Sequence, residues 1–249
     1  MAQIFDDFFG GIQCHVAATG LANGAVYQPC PVRENARMKE SEGVVQYRLD
    51  YRHGDLPATV DLQPLFDGFA RCRRHGLIGQ DPARYDGLAF GNISCRAPAG
   101  FVISGTQTGG RRTLLPGDLA WVEEFDLDNN CLTASGPAHP SSEAMTHGQI
   151  YRELPAVNAV VHVHSPLIWR HAQALGLPLT AASAGYGTPA MAREMRRLLH
   201  RPGLGDRGII AMGGHEDGLV VFAPDMNSAE ALLFAALADA ARLHAMTAS

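Results

Sequence analysis

Two histidines stand two residues apart in an apolar stretch near the middle of the chain. His162 and His164 alternate with Val161 and Val163, and such a β-branched run predicts a strand. Side chains at positions i and i+2 of a strand point to the same face. The two imidazoles would therefore lie side by side, as two ligands of one metal ion would. The pair alone fits equally well two histidines that hydrogen-bond locally or face solvent.

A third histidine follows a later apolar stretch. His215 lies in the turn Gly213–Gly218, directly after the predicted strand Ile209–Met212. Three neutral imidazoles with an open fourth position describe a catalytic zinc site, although Mn²⁺, Co²⁺ or Fe²⁺ could also bind such ligands. Glu216 and Asp217 could orient an imidazole, or they could be solvated turn residues.

A carboxylate opens the helix predicted before the histidine strand. Ser141, Ser142 and Glu143 begin this helix, and Pro155 ends it near Leu154. The helix dipole alone would favour an acidic residue there. The same turn also offers backbone N–H groups and two hydroxyls to an anion. Beside a metal and an anion pocket, Glu143 is the expected general acid/base.

Two further polar segments are candidates for substrate binding. Asn92 follows Gly91 in a predicted strand, and Ser104, Gly105 and Thr106 begin a polar, glycine-rich loop. Such a loop can hold a phosphate, but it is also typical of a simple hairpin. The residues themselves leave both interpretations open.

The net charge and the numbers of lysines and cysteines argue against several classes of function. The chain has 249 residues with a net charge of −5, which gives no electrostatic case for binding nucleic acid or a membrane surface. Lys39 is the only lysine, so Schiff-base chemistry is excluded everywhere else. Five cysteines without a CxxC pair, and a start without signal-peptide features, favour a reducing, cytoplasmic setting.

Helical and strand patterns alternate along the chain. Residues 1–60 read as an irregular arm with a short strand at Val44–Leu49, and residues 61–249 read as the main domain. Asn227 and Glu230 suggest a capping box for the last helix. Because several strands are linked by hairpins, we expect an α/β domain whose sheet is mixed or antiparallel, with helices on both faces.

In their order along the chain, these motifs resemble the class II aldolase/adducin family, typified by fuculose-phosphate aldolase. The resemblance covers about residues 60–245, and its motifs are Gly91–Ser94, Phe101–Thr106, Pro140–Glu143 with His147 and Tyr151, Ala159–Ser165, and His215 with Gly218–Val221. It implies a three-layer α/β/α sandwich around a largely antiparallel sheet, commonly in a homotetramer with sites at subunit interfaces. It also implies site residues: His162, His164 and His215 as zinc ligands, Glu143 as acid/base, and Asn92, Ser104, Gly105, Thr106, Ser141 and Ser142 as the phosphate cradle.

This chain departs from the family pattern in three places. The segment Ile103–Thr106 is one residue tighter than the family's phosphate loop, and the usual His-Gly is widened to His215–Gly218. No tyrosine follows Tyr186, so the C-terminal tyrosine of some relatives has no counterpart. Glu143, where epimerases have Asp, favours the aldolase, dehydratase and decarboxylase branches.

The resemblance implies a metal-dependent lyase, first of all an aldolase. It would cleave or form a C–C bond next to a carbonyl in a small sugar, sugar phosphate or hydroxy acid through an enediolate. A decarboxylase or dehydratase on the same site is the alternative, and Arg111 and Arg112 would suit a carboxylated substrate. A non-catalytic, adducin-like scaffold is the alternative from another class, but it should lack the ligand histidines that are all present here.

Overall fold

An eight-stranded sheet runs through the part of the chain that the computed structural model describes, residues 45–247. All of these residues belong to one compact unit. The strands are β1 (Arg48–His53), β2 (Gly79–Gln80), β3 (Ala89–Phe90), β4 (Asn92–Arg96), β5 (Phe101–Ser104), β6 (Leu119–Asp126), β7 (Cys131–Gly136), β8 (Ala159–His164), β9 (Gly208–Ala211) and β10 (Gly218–Ala223). The α-helices are α1 (Gln63–Arg74), α2 (Ala144–Glu153), α3 (Pro166–Arg170), α4 (Pro189–Leu199) and α5 (Met226–Thr247).

The sheet is mixed but mostly antiparallel, as the hairpin-linked strands predict. Its order is β1-β7-β6-β5-β4-β8-β10-β9, while β2 and β3 pair separately. Only β1 and β7 pair in parallel within this sheet. In the register of β8, His162 lies opposite Asn92 on one side and Val220 on the other. Directly opposed residues project to the same face, so Asn92 and His162 are neighbours.

The edge strand β1 comes from the segment predicted to be an arm. It covers Arg48–His53, four residues later than the predicted strand Val44–Leu49, and Val44 itself lies outside the described residues. Through β7 this strand joins the main sheet. The division of the chain at residue 60 stays a prediction.

Successive side chains of β8 point to opposite faces of the sheet, where they belong to two different clusters of buried apolar residues. Val160 belongs to a cluster that includes residues of α2 and α4. Val161 and Val163 belong to another that includes residues of α1, α3 and α5. Each fully buried valine stabilises the fold by about 1.5–3 kcal/mol. By the same alternation His162 and His164 share the face of Val160, under α2 and α4.

The N-terminal ends of two helices show how they are capped, and one of them corrects the predicted capping box. Thr188 caps α4, with its hydroxyl accepting a hydrogen bond from the Met191 N–H at 3.2 Å. The predicted capping box of Asn227 and Glu230 is wrong. Asp225 caps α5 instead, while the buried Glu230 carboxylate accepts a hydrogen bond from Arg71 of α1 at 2.8 Å. A guanidinium satisfies a buried carboxylate better than one backbone N–H does.

No helix in residues 45–247 has the length and apolar character to cross a membrane.

Candidate metal centre

Three histidine side chains converge at one end of β8 and β10. The Nε2 atoms of His162 and His164 are 3.1 Å apart, those of His164 and His215 are 3.1 Å apart, and those of His215 and His162 are 3.3 Å apart. Ligands about 2.0–2.1 Å from a tetrahedral zinc ion would lie about 3.3 Å from each other. The donor set therefore fits a divalent ion with three imidazole ligands and an open fourth position, and all three residues are buried.

The protonation of these imidazoles suits metal binding. The Nδ1 atom of His162 lies 3.1 Å from the Leu219 carbonyl oxygen. If Nδ1 carries the proton and donates it there, the Nε2 lone pair points to the cluster. Burial lowers the pKa of His162 to about 4, and it also lowers the pKa values of His164 and His215 well below the ordinary range. Because metal ligands must be neutral imidazoles, the cluster is ready to bind an ion at neutral pH.

Two glycines let the loop of His215 come close to a neighbouring segment. A Cβ atom on Gly213 would collide with the Thr180 carbonyl oxygen, and one on Gly214 would collide with the Ala184 carbonyl oxygen. The loop thus packs backbone against backbone, which only glycine allows here. This close approach fixes where His215 enters the cluster.

Glu143 lies beside the histidine cluster in a fully buried position. It occupies the N-cap position of α2, and its Oε1 is 4.0 Å from His215 Nε2. Burial raises the pKa of Glu143 to about 7. Neither carboxylate oxygen has a hydrogen-bond partner in the described part of the chain. A carboxyl group that titrates near neutrality can both take up and release a proton.

Tyr47 supports the turn that carries Glu143, and sequence reasoning missed it. Its buried hydroxyl lies 2.8 Å from the Ser141 carbonyl oxygen and 3.1 Å from that of Pro140, so it donates to this pair of acceptors. Tyr47 belongs to the segment predicted to be an arm. Nothing in the local pattern reveals a partner 94 residues away.

The predicted phosphate-binding segments do come together, but part of their hydrogen-bonding capacity is used. Gly105 forms an isolated bridge with Pro140, next to Ser141 and Ser142. The N–H groups of Gly105 and Thr106 already donate to backbone carbonyl oxygens, at 2.7 and 2.9 Å. The hydroxyl of Ser104 likewise accepts a hydrogen bond from the Ile93 N–H at 3.1 Å. Two backbone N–H groups of this loop are therefore already hydrogen-bonded within the protein and do not face an empty anion site.

One polar group on the β4 side of the cluster remains available, and a second is already hydrogen-bonded. The buried Oδ1 of Asn92 has no hydrogen-bond partner among the described residues. Ser94, two residues on, has its hydroxyl 2.7 Å from His147 Nδ1 and 2.8 Å from the Tyr151 hydroxyl. His147 and Tyr151 thus pack on one face of α2 and are linked by Ser94. Burial keeps the pKa of His147 well below its ordinary value.

Comparison with known proteins identifies curated sequences that resemble parts of this chain. Over 102 residues, the chain is 39% identical to a 5-methylthioribulose-1-phosphate/5-deoxyribulose-1-phosphate aldolase from Rhodospirillum rubrum, covering 37% of this chain and 41% of the relative. Over 41 residues, it is 42% identical to a methylthioribulose-1-phosphate dehydratase from Xanthomonas oryzae, covering 16% of this chain and 18% of the relative. The chain thus matches less than half the length of these two curated relatives.

The fold and a family profile extend the likeness over most of the chain. The crystal structure of L-fuculose-1-phosphate aldolase from Thermus thermophilus superposes with a TM-score of 0.56 at 20% identity, covering 74% of this chain and 92% of that one. The profile described as the class II aldolase and adducin N-terminal domain matches residues 83–244. Since this match spans well over half of the sequence, the protein belongs to the class II aldolase and adducin family.

Proposed function

We propose that this protein is a metal-dependent lyase that cleaves or forms a C–C bond next to a carbonyl group in a small ketose phosphate. The observation that carries the proposal is the buried cluster of three imidazoles with the Glu143 carboxylate 4.0 Å from His215. The adducin-like scaffold alternative is disfavoured because such a scaffold has no need of three converging ligands.

The metal in this proposal is Zn²⁺, held by His162, His164 and His215. The distances between their Nε2 atoms suit it, although Mn²⁺, Co²⁺ and Fe²⁺ accept the same ligands. A bound ion would polarise the substrate carbonyl and stabilise the negative charge that develops when the bond breaks.

Glu143 is the proposed acid/base. In the cleavage direction, the Glu143 carboxylate removes the proton of the hydroxyl on the carbon that becomes the aldehyde. The bonding electrons stay on the carbon next to the carbonyl, and the acid form of Glu143 then supplies the proton to that carbon. In the synthetic direction, its carboxylate removes that proton. A pKa of about 7 keeps both forms populated at neutral pH. The unpaired carboxylate oxygens are free to meet a substrate carbon or hydroxyl.

The proposed substrates are ribulose 1-phosphates with a substituted or reduced fifth carbon, because the two curated relatives are named for such compounds. The proposed phosphate-binding residues are Asn92, Ser104, Gly105, Thr106, Ser141 and Ser142. Since two N–H groups of this loop already donate to carbonyl oxygens, side chains would supply most of the contacts. Dehydration at the same site is the second candidate, because one relative is named a dehydratase.

Broader features complete the proposal. The two apolar clusters on opposite faces of the sheet support a three-layer α/β/α sandwich. We extend the proposal to a cytoplasmic homotetramer, with residues 1–60 as an arm and residues 61–249 as the catalytic domain.

The test is to incubate the zinc-loaded protein with 5-methylthioribulose 1-phosphate and 5-deoxyribulose 1-phosphate and to follow the products by NMR. Aldol cleavage should release dihydroxyacetone phosphate together with acetaldehyde from the deoxy substrate or methylthioacetaldehyde from the methylthio substrate, while dehydration should give a diketone phosphate. The variant His162→Ala/His164→Ala should lose metal and activity. The variant His171→Ala, at a histidine outside the cluster, should keep both. Equal, negligible metal in wild type and the double variant would refute the proposal in favour of a scaffold.

A further inference from the structure

A cluster of three other side chains lies against the histidine cluster. The Tyr85 hydroxyl donates a hydrogen bond to Asp217 Oδ2 at 2.8 Å and accepts one from Arg84 Nη2 at 2.6 Å. The Arg84 guanidinium carbon lies 4.8 Å from the centre of the Tyr85 ring and 4.9 Å from that of Phe90. The hydroxyl thus sits between a cation and an anion, with both of its hydrogen-bonding roles used.

The backbone of this cluster is held in an unfavourable conformation on both sides of the hydrogen bond. Tyr85 has φ +50° and Asp86 has φ +56°, and Asp217 has φ +61°. Residues other than glycine rarely adopt the left-handed region, and they persist there when the surroundings fix them. Asp217 belongs to the widened turn His215–Gly218, where the family pattern has a shorter His-Gly. The extra residues in this turn therefore supply the carboxylate that Tyr85 binds.

Tyr85 touches the elements that carry two of the three histidines. Its ring packs edge to face on His164, with 4.6 Å between the ring centres. Its hydroxyl holds Asp217, two residues after His215. The Asp217 carbonyl oxygen in turn accepts the Ser165 N–H at 2.9 Å, at the end of β8. One side chain therefore restrains both the His164 ring and the turn of His215.

We infer that Tyr85 is a positioning residue for the metal centre, which couples the orientation of His164 to that of the His215 turn through its hydrogen bond to Asp217. The inference rests on the proposed function, because it concerns the same three ligands. Partners that orient metal ligands commonly contribute 10- to 100-fold to metal affinity. The hydroxyl group, apart from the ring, should account for an effect of this size.

The test compares Co²⁺ binding by metal-free wild type and Tyr85→Phe, using competition with a chelator and the visible absorption bands of the bound ion. Tyr85→Phe keeps the ring and removes the hydroxyl. We expect its Co²⁺ affinity to be about 10- to 100-fold lower than that of wild type, with shifted absorption bands and an unchanged unfolding curve of the metal-free protein. Tyr51→Phe is the matched control, because it removes a hydroxyl on the edge strand β1 that donates to the Gly136 carbonyl oxygen of β7 at 2.6 Å. Its Co²⁺ affinity should equal that of wild type.

A second variant covers the possibility that Tyr85→Phe does not fold. Asp217→Asn keeps a residue that tolerates the left-handed conformation and removes the charge. It should weaken Co²⁺ binding on its own but add nothing in the Tyr85→Phe background, because both changes act on one hydrogen bond. Binding of Co²⁺ by Tyr85→Phe within twofold of wild type would overturn the inference, and so would additive effects. A wild-type protein that binds no metal would instead refute the proposed function.

Discussion

The buried carboxyl group of Glu143 makes the stability of the metal-free protein depend on pH in a way that one substitution should remove. Its pKa rises from an ordinary 4.5 to about 7 because burial penalises the charged form. A group whose pKa is higher in the folded state stabilises the fold fully below its unfolded pKa, and that contribution is lost as pH rises through the folded pKa. At 1.36 kcal/mol per pH unit, wild type should lose about 2.5 kcal/mol through this group between pH 5 and pH 8.

The variant Glu143→Gln cannot ionise, so its free energy of unfolding relative to wild type should rise by about 2.5 kcal/mol from pH 5 to pH 8. The measurement is urea unfolding of both proteins at each pH, with a chelator present because a bound cation would favour the carboxylate. Comparing the two proteins cancels the titration of the buried histidines, which they share. Glu124→Gln, at an exposed position of β6, gives the baseline for the same chemical change. If the free energies of unfolding of wild type and Glu143→Gln differ by the same amount at pH 5 and pH 8, burial does not raise the pKa of Glu143.

Two further changes test contacts that support the site and the fold. Tyr47→Phe should lower the free energy of unfolding by about 0.5–1.5 kcal/mol in urea titration, because it removes one buried hydrogen bond while the Ser141 carbonyl oxygen keeps the Ala144 N–H as a donor; an unchanged midpoint would contradict this contact. Glu230→Gln should destabilise by about 1–2 kcal/mol, because it breaks the partly buried ion pair with Arg71 between α1 and α5. Glu123→Gln removes an exposed ion pair and should change stability by less than about 0.5 kcal/mol, so equal losses in these two variants would argue against burial as the cause.

Side-chain alternation and residue chemistry indicated which residues could form the candidate site, and the family resemblance favoured that interpretation over local hydrogen bonding. The spacing of His162 and His164 predicts one shared face, and the strand and turn around His215 present a third imidazole. The structure brings these three together, with Glu143 beside them. The shared face of His162 and His164 is a local feature of the strand, whereas the convergence of His215 and Glu143 on them was expected from the family resemblance.

The contacts that hold the site in place depend on distant pairings, which a local pattern does not contain. Tyr47 reaches Ser141 across 94 residues, and Tyr85 reaches Asp217 across 132 residues. In the glycine-rich loop, the sequence suggests available groups that the folded structure does not leave available. Its composition suggests open N–H groups at Gly105 and Thr106, but the fold uses both in backbone hydrogen bonds. Composition indicates which groups are present, and only tertiary structure decides which of them stay available.

The alternation along β8 also has a consequence for how this protein can change. One face of the strand carries His162 and His164 under α2 and α4, while Val161 and Val163 pack into the separate cluster that includes α1 and α5. Substitutions that alter the reactive side therefore leave the packing of the other side in place. A protein with this arrangement can change the residues around the candidate site while the valine face keeps its contribution to folding stability. An engineer could therefore vary Asn92 and the α2 face and leave the valines unchanged.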